Sequence, residues 1–190
     1  MEFRKINWFG IAGGIITLML VVLALAYASP WWQLTIAEDL GQANISPLSY
    51  NLTILGSQIV IPLIFFLNLA CQLSLAASAI AILIYSVIPD KSFSKHLLGF
   101  AYKKPLITLI IFLISIFAVT YSVQSILPIT IPVTGASTIT LEMSDITMEV
   151  PITTGFTWVF WLAIIAAILC VVARFYHKKI VSPPPKEKKT

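Results

Sequence analysis

The chain has 190 residues, 58% hydrophobic and 11% charged, with a mean hydropathy of +0.94. Soluble domains carry about 25% charged residues, so this composition argues for a membrane protein, and the length holds about four spans of ~20 residues with no separate soluble domain. The net charge of +4 does not point to nucleic acid, because each basic cluster abuts an apolar run.

The position of the charges is more informative than their sum. All twelve Lys and Arg residues fall in three groups: Arg4 and Lys5; Lys91, Lys95, Lys103 and Lys104; and Arg174, Lys178, Lys179, Lys186, Lys188 and Lys189. The two intervening connections have none and carry Glu38, Asp39, Glu142, Asp145 and Glu149. By the positive-inside rule, both termini and the middle connection are expected in the cytoplasm, with about 29–57 and 127–155 outside a cell membrane. Cys71 and Cys170 lie in apolar runs, so the connections hold no disulfide framework or cysteine metal site.

Span 1 is expected over about 8–28. A cleavable signal peptide competes, since Met1–Asn7 is short and basic and Ala26-Tyr27-Ala28 resembles a cleavage site. The apolar run of about 20 residues exceeds the usual signal core of about 7–15. Gly10 and Gly14 form a small-xxx-small pair that would let another helix approach, with the general abundance of glycine in membrane helices as an equal alternative. Pro30 stops the helix, and Trp31 and Trp32 are candidate anchors at the headgroup zone. Alternation then predicts a strand from Trp32 to Ile36, a break at Glu38–Gly41 and a second strand over Ser49–Leu55. Asn51-Leu52-Thr53 is a glycosylation sequon on the expected outer side, as is Asn44-Ile45-Ser46, weakened by Pro47.

Span 2 is expected over 59–88, about 45 Å of helix against a hydrocarbon core of about 30 Å; it therefore tilts, projects outward or begins near Pro62. Asn68, Cys71, Gln72, Ser74 and Ser78 fall within an arc of about 160°. An unpaired amide in hydrocarbon is unfavourable by several kcal/mol, so this arc should face protein. Asn68 and Gln72 are read as interhelical hydrogen-bond partners, with a ligand or solute path as the alternative. The connection 89–105 mixes bases with Phe93, Leu97, Leu98, Phe100 and Tyr102, as suits a segment lying on an anionic membrane face.

Span 3 is expected over 106–127, with Thr108, Ser115 and Ser122 on one stripe as a packing seam. Ile139, Leu141 and Met143, then Ile146, Met148 and Val150, alternate with polar residues on either side of Ser144-Asp145. That predicts a β-hairpin, with Ile129–Val133 as a candidate third strand. A lone hairpin is marginal in water, so one sheet of about four or five strands drawn from both outer loops is expected. Span 4 is expected over 156–173, with Trp158 and Trp161 as anchors and Ala163, Ala166, Ala167, Cys170 and Ala173 as a close-contact stripe. Residues 1–176 then form one four-span domain, and 177–190 a disordered basic cytoplasmic tail.

No charged residue falls within a span, and such residues mark proton relays and coupled transport. His96 and His177 both belong to the cytoplasmic side, so a bis-histidine haem within the bundle is excluded. No phosphate loop, nucleophile motif or metal-ligand spacing appears, and the outer carboxylates read as solvated strand and turn positions. No catalytic residue, cofactor or metal is therefore assigned.

Four spans with both ends inside, Pro30-Trp31-Trp32 after span 1 and alternating strands in both outer loops resemble the claudin-like four-span proteins in architecture. That family's cysteine pair in the first outer loop is absent here. The resemblance implies an extracellular sheet standing on a helix bundle and making partner contacts. The expected fold is thus a mainly α four-helix transmembrane bundle with a small extracellular antiparallel β-sheet. The expected function is that of a non-catalytic membrane protein, either a subunit of a larger complex or a surface contact protein. Its partners are membrane lipid and other membrane subunits or further copies of itself, and no nucleic acid. A small-molecule conduit using the span 2 arc, or an accessory subunit of a membrane enzyme with a lipid or quinone pocket, are the alternatives.

Overall fold

The computed structural model describes residues 6–37, 40–89, 91–126, 130–143 and 146–180. Arg4, Lys5, Glu38, Asp39, the Ser144-Asp145 turn and the segment 181–190 lie outside them. Four of the described helices are long and apolar enough to cross a membrane. They are α1 (Trp8–Tyr27), α2 (Pro62–Val87), α4 (Lys103–Ile126) and α5 (Trp158–Ile180); the short α3 (Ser94–Ala101) precedes α4.

The helix ends follow local chemistry. The Asn7 side chain caps α1 by accepting from the Gly10 N–H, and Ala28 closes it in the left-handed region at φ 45°. Pro62 opens α2, where its missing N–H leaves no helix bond unmade, so Ile59–Ile61 belong to the preceding strand and its exit. Pro105 lies in the first turn of α4, and Lys103–Pro105 belong to the helix rather than to the connection. Helix α5 continues to Ile180, because nothing from Arg174 to Ile180 breaks it. Residues 177–180 are therefore helical and not part of an extended tail.

One antiparallel sheet has six strands in the order β4-β3-β2-β1-β6-β5. The strands are β1 (Trp32–Ile36), β2 (Gly41–Ile45), β3 (Tyr50–Ile54), β4 (Ser57–Ile59), β5 (Gly135–Met143) and β6 (Ile146–Phe156). The first four lie between α1 and α2 in the chain, the last two between α4 and α5. Pairing of β1 with β6, from Trp32↔Phe156 to Ile36↔Ile152, joins the two groups. The expected third strand at 129–133 is absent from the described part, since 130–134 form no ladder. Pro132 has no N–H to donate, and the Ile131, Pro132 and Val133 carbonyls accept from Gln124, Thr154 and Trp32 side chains.

The register sorts the sheet into two faces. Trp32, Leu34, Ile36, Ala43, Ile45, Ile152 and Phe156 pack in one core with helix residues such as Leu20, Leu75, Phe112 and Phe160. The alternate positions (Gln33, Thr35, Gln42, Asn44, Asn51, Thr53 and Thr153) form the opposite, polar face. Beyond the end of β1, the five pairs from Ile139↔Val150 to Met143↔Ile146 continue as a two-stranded ribbon, about 17 Å long.

Among the helices, α1 packs along both α2 and α5, and α4 along α5, while α2 and α4 touch sparsely. Helix α4 is the least covered of the four.

Candidate functional site

The sheet is joined to the bundle at a compact seat. Trp31 and Trp32 are 2% and 3% exposed, so they are core residues and not surface anchors. Each indole found a better partner than the headgroup zone: Trp31 meets the Phe112 ring edge-on at 5.3 Å, and Trp32 Nε1 donates to the Val133 carbonyl at 2.7 Å. The Thr157 N–H donates to the Trp31 carbonyl and its hydroxyl to the Pro30 carbonyl. The start of α5 and the end of α1 are thereby locked beneath β1. Trp158 and Trp161, by contrast, are exposed on α5, and both stand near the sheet.

The β2–β3 turn is the second attachment. Ser46 Oγ accepts from the Leu48 and Ser49 N–H groups, closing a serine turn that buries Leu48 completely. Helix α2 then reaches up to it. Asn68 Nδ2 donates to the Ser46 carbonyl at 3.0 Å, and Gln72 Nε2 to the Leu48 carbonyl at 2.6 Å. The amides thus reach a turn of the sheet segment and not a neighbouring helix. A turn placed over a helix end has carbonyls that no strand can use, and these two side chains satisfy them. Asn51 is half-buried near the start of β3, opposite Asn44, and accepts from the Thr53 hydroxyl at 3.4 Å.

Away from the sheet, α1, α2 and α5 form a tight seam. A Cβ on Gly10 would collide with Ser86 Oγ of α2, and one on Gly14 would stand 2.7 Å from Leu83 Cγ. Gly13 turns the other way, where a Cβ would lie 3.1 Å from the Cys170 backbone nitrogen of α5. Ala163 and Ala167 are buried on the same stripe of α5 as Ala166, Cys170 and Ala173. Ser115 is different: it is exposed, and its hydroxyl donates back to the Ile111 carbonyl. The stripe of Thr108, Ser115 and Ser122 is therefore not a continuous seam, since only Thr108 meets a neighbour, Cys71 Sγ at 3.9 Å.

The end of the bundle far from the sheet holds a polar knot that sequence periodicity does not reveal. Asn7, fully buried, donates from Nδ2 to the Ala173 carbonyl at 2.9 Å and to Tyr85 Oη at 3.1 Å. Tyr85 Oη lies 2.9 Å from His177 Nδ1, and the Asn7 N–H donates to the Ser86 carbonyl. Helix α3 docks beside it, with Leu98 and Ala101 buried and the Ser78 hydroxyl donating to the Ala101 carbonyl. The only sequence signal for the knot was that Asn7 precedes an apolar run, as a helix cap does. His96, on α3, is exposed.

Among the described residues, no three of His, Cys, Asp and Glu converge as metal ligands would, and no buried side-chain nitrogen or oxygen lacks a partner. No family model matches the chain, and no curated protein matches it.

Proposed function

We propose that this chain is a non-catalytic integral membrane protein, a structural subunit of a larger membrane assembly or a surface contact protein, acting through its sheet. The observation that carries the reading is the β5–β6 ribbon. It extends five residue pairs past the platform and ends the sheet on β5, a nine-residue strand with no neighbour beyond it among the described residues. Edges are normally guarded by short strands, proline or lysine. The opposite edge, β4, has three residues, whereas Gly135–Met143 contains neither proline nor lysine and carries a single charged residue, Glu142. Such an edge suits strand addition by a partner, and Met148, 53% exposed on the ribbon, offers apolar contact beside it.

The expected orientation puts the sheet outside a cell membrane and both termini and α3 in the cytoplasm. What supports it is that the described bases Lys91, Lys95, Lys103, Lys104, Arg174, Lys178 and Lys179 all belong to helix segments and connections remote from the sheet in the chain. A conduit through the bundle draws less support, because Asn68 and Gln72 spend their amide donors on the β2–β3 turn.

The test is isolation of the full chain from native membranes in mild detergent. A co-purifying membrane protein or a homo-oligomer is expected, and Thr140→Lys on β5 should abolish it while leaving the helical circular dichroism unchanged. A strict monomer with no partner, or an assembly indifferent to Thr140→Lys, overturns the reading through β5.

A further inference from the structure

Where α2 and α4 diverge they leave a cavity of about 470 Å³ between them. Ile64 and Leu67 of α2 wall it on one side, Ile111 and Val119 of α4 on the other. Ile45, Ser46 and Pro47 overhang it at the sheet end, and Cys71 and Thr108, in contact at 3.9 Å, bound it at the deep end. Leu67, Ile111 and Val119 are each more than half exposed, so the cavity opens sideways, toward the surface that the helices would turn to lipid.

We propose that this cleft holds one hydrocarbon chain of a bilayer lipid, entering from the side between α2 and α4. Most of its polar groups already have a partner. Asn68 is bonded to the Ser46 carbonyl, Ser115 to the Ile111 carbonyl, and Thr108 and Cys71 to each other. A water filling the cleft would find few free partners, and an apolar cavity without them stays dry. A volume of this size, within the range of about 300–1,000 Å³ typical of ligand sites, does not stay empty when hydrocarbon surrounds it. A transmembrane helix from a partner does not fit. From Thr108 to Val119 the cleft is about 16 Å long, against a hydrocarbon thickness of about 30 Å, and its sheet end is covered by Ser46-Pro47. A helix about 10 Å across would have to displace that turn, and with it the bonds to Asn68 and Gln72. A slender, flexible chain does not.

This inference rests on the four helices lying in a bilayer, and the test reports that separately. The full chain is reconstituted in phosphatidylcholine vesicles containing a phosphatidylcholine with a diazirine on one acyl chain, irradiated, and its adducts are mapped by mass spectrometry. Adducts around Ile114, 63% exposed on α4 away from the cleft, report bilayer contact itself. Adducts on Leu67, Cys71 and Thr108 report entry into the cleft. Ser115→Phe, which fills the cleft from its exposed side, should lower the cleft adducts about tenfold, the effect of excluding roughly two buried methylenes. Ile114→Phe should leave them unchanged, and Val119→Trp at the mouth should repeat the Ser115→Phe result if that variant folds poorly. In parallel, Cys71 should resist both a charged aqueous thiosulfonate and N-ethylmaleimide in the folded protein, because both need the thiolate that a dry cleft suppresses, and should react once the chain is unfolded. Adducts at Ile114 with none in the cleft overturn the proposal, as do cleft adducts indifferent to both filling variants. Ready modification of Cys71 by the charged reagent, which means water, or adducts replaced by a cross-linked protein in native membranes, overturn it too.

Discussion

The α1–α2–α5 seam and the α2–α4 gap are built from similarly apolar helices, yet one is closed to backbone contact and the other stands open. Residue size makes the difference. Gly10, Gly13 and Gly14 of α1, with the alanine stripe of α5, let backbones approach until a single added carbon collides. Helix α4 faces α2 across the cleft with Ile111, Phe112 and Ile116, branched or bulky side chains in place of glycine and alanine. Without a hydrophobic drive between helices in lipid, close packing decides which pairs associate. Composition thus makes a helix apolar enough to cross a membrane, while the placing of small residues selects its neighbours.

The contrast can be broken most strongly at Gly13. A Gly13→Leu variant meets the Cys170 backbone, which cannot rotate aside, and overpacking should destabilise the fold by about 3 kcal/mol. Thermal unfolding in detergent, followed by circular dichroism, measures it; a neutral result would mean that α1 and α5 are not in contact. An intermediate effect is expected where the sheet is tied to α2. Asn68→Leu leaves the buried Ser46 carbonyl without its donor and should destabilise by about 1–2 kcal/mol. Hydrogen exchange at the 46–49 turn should rise before that of the helices; uniform exchange would deny the amide its anchoring role. The smallest effect belongs to the gap. Ser115→Leu should change stability by less than about 0.5 kcal/mol, because nothing packs there to be displaced. A large loss would show that α2 and α4 touch closely at this level.

How much of this could be read beforehand depended on how local the cause was. The β5–β6 hairpin is legible because its alternation is uninterrupted on both sides of the turn. Strand β2, Gly41-Gln-Ala-Asn-Ile45, has neither the alternation nor the β-branched content to announce itself, and it forms because β1 and β3 flank it. Strand β4 was hidden by its turn. Leu55 and Gly56 both adopt positive φ, at 49° and 75°, and a leucine in that position gives no turn signal. At the site, Asn68 and Gln72 are recognisable as amides that must face protein, but their partners are backbone carbonyls some 22 and 24 residues away, which no side-chain pattern encodes. Trp31 and Trp32 look like interfacial residues by position and are buried by the sheet that folds over them.

Taken alone, the sequence determined the presence of the four long helices, the hairpin, and the segregation of charge, because each follows from hydropathy and periodicity within a short window. Only the tertiary structure decided that β1 pairs with β6 across the chain, that α2 carries the β2–β3 turn, that Asn7, Tyr85 and His177 meet, and that α2 and α4 part. These depend on the distance between elements far apart in the chain, which is set by the volume of side chains at their contacts and by the destination of backbone carbonyls left over at the turns.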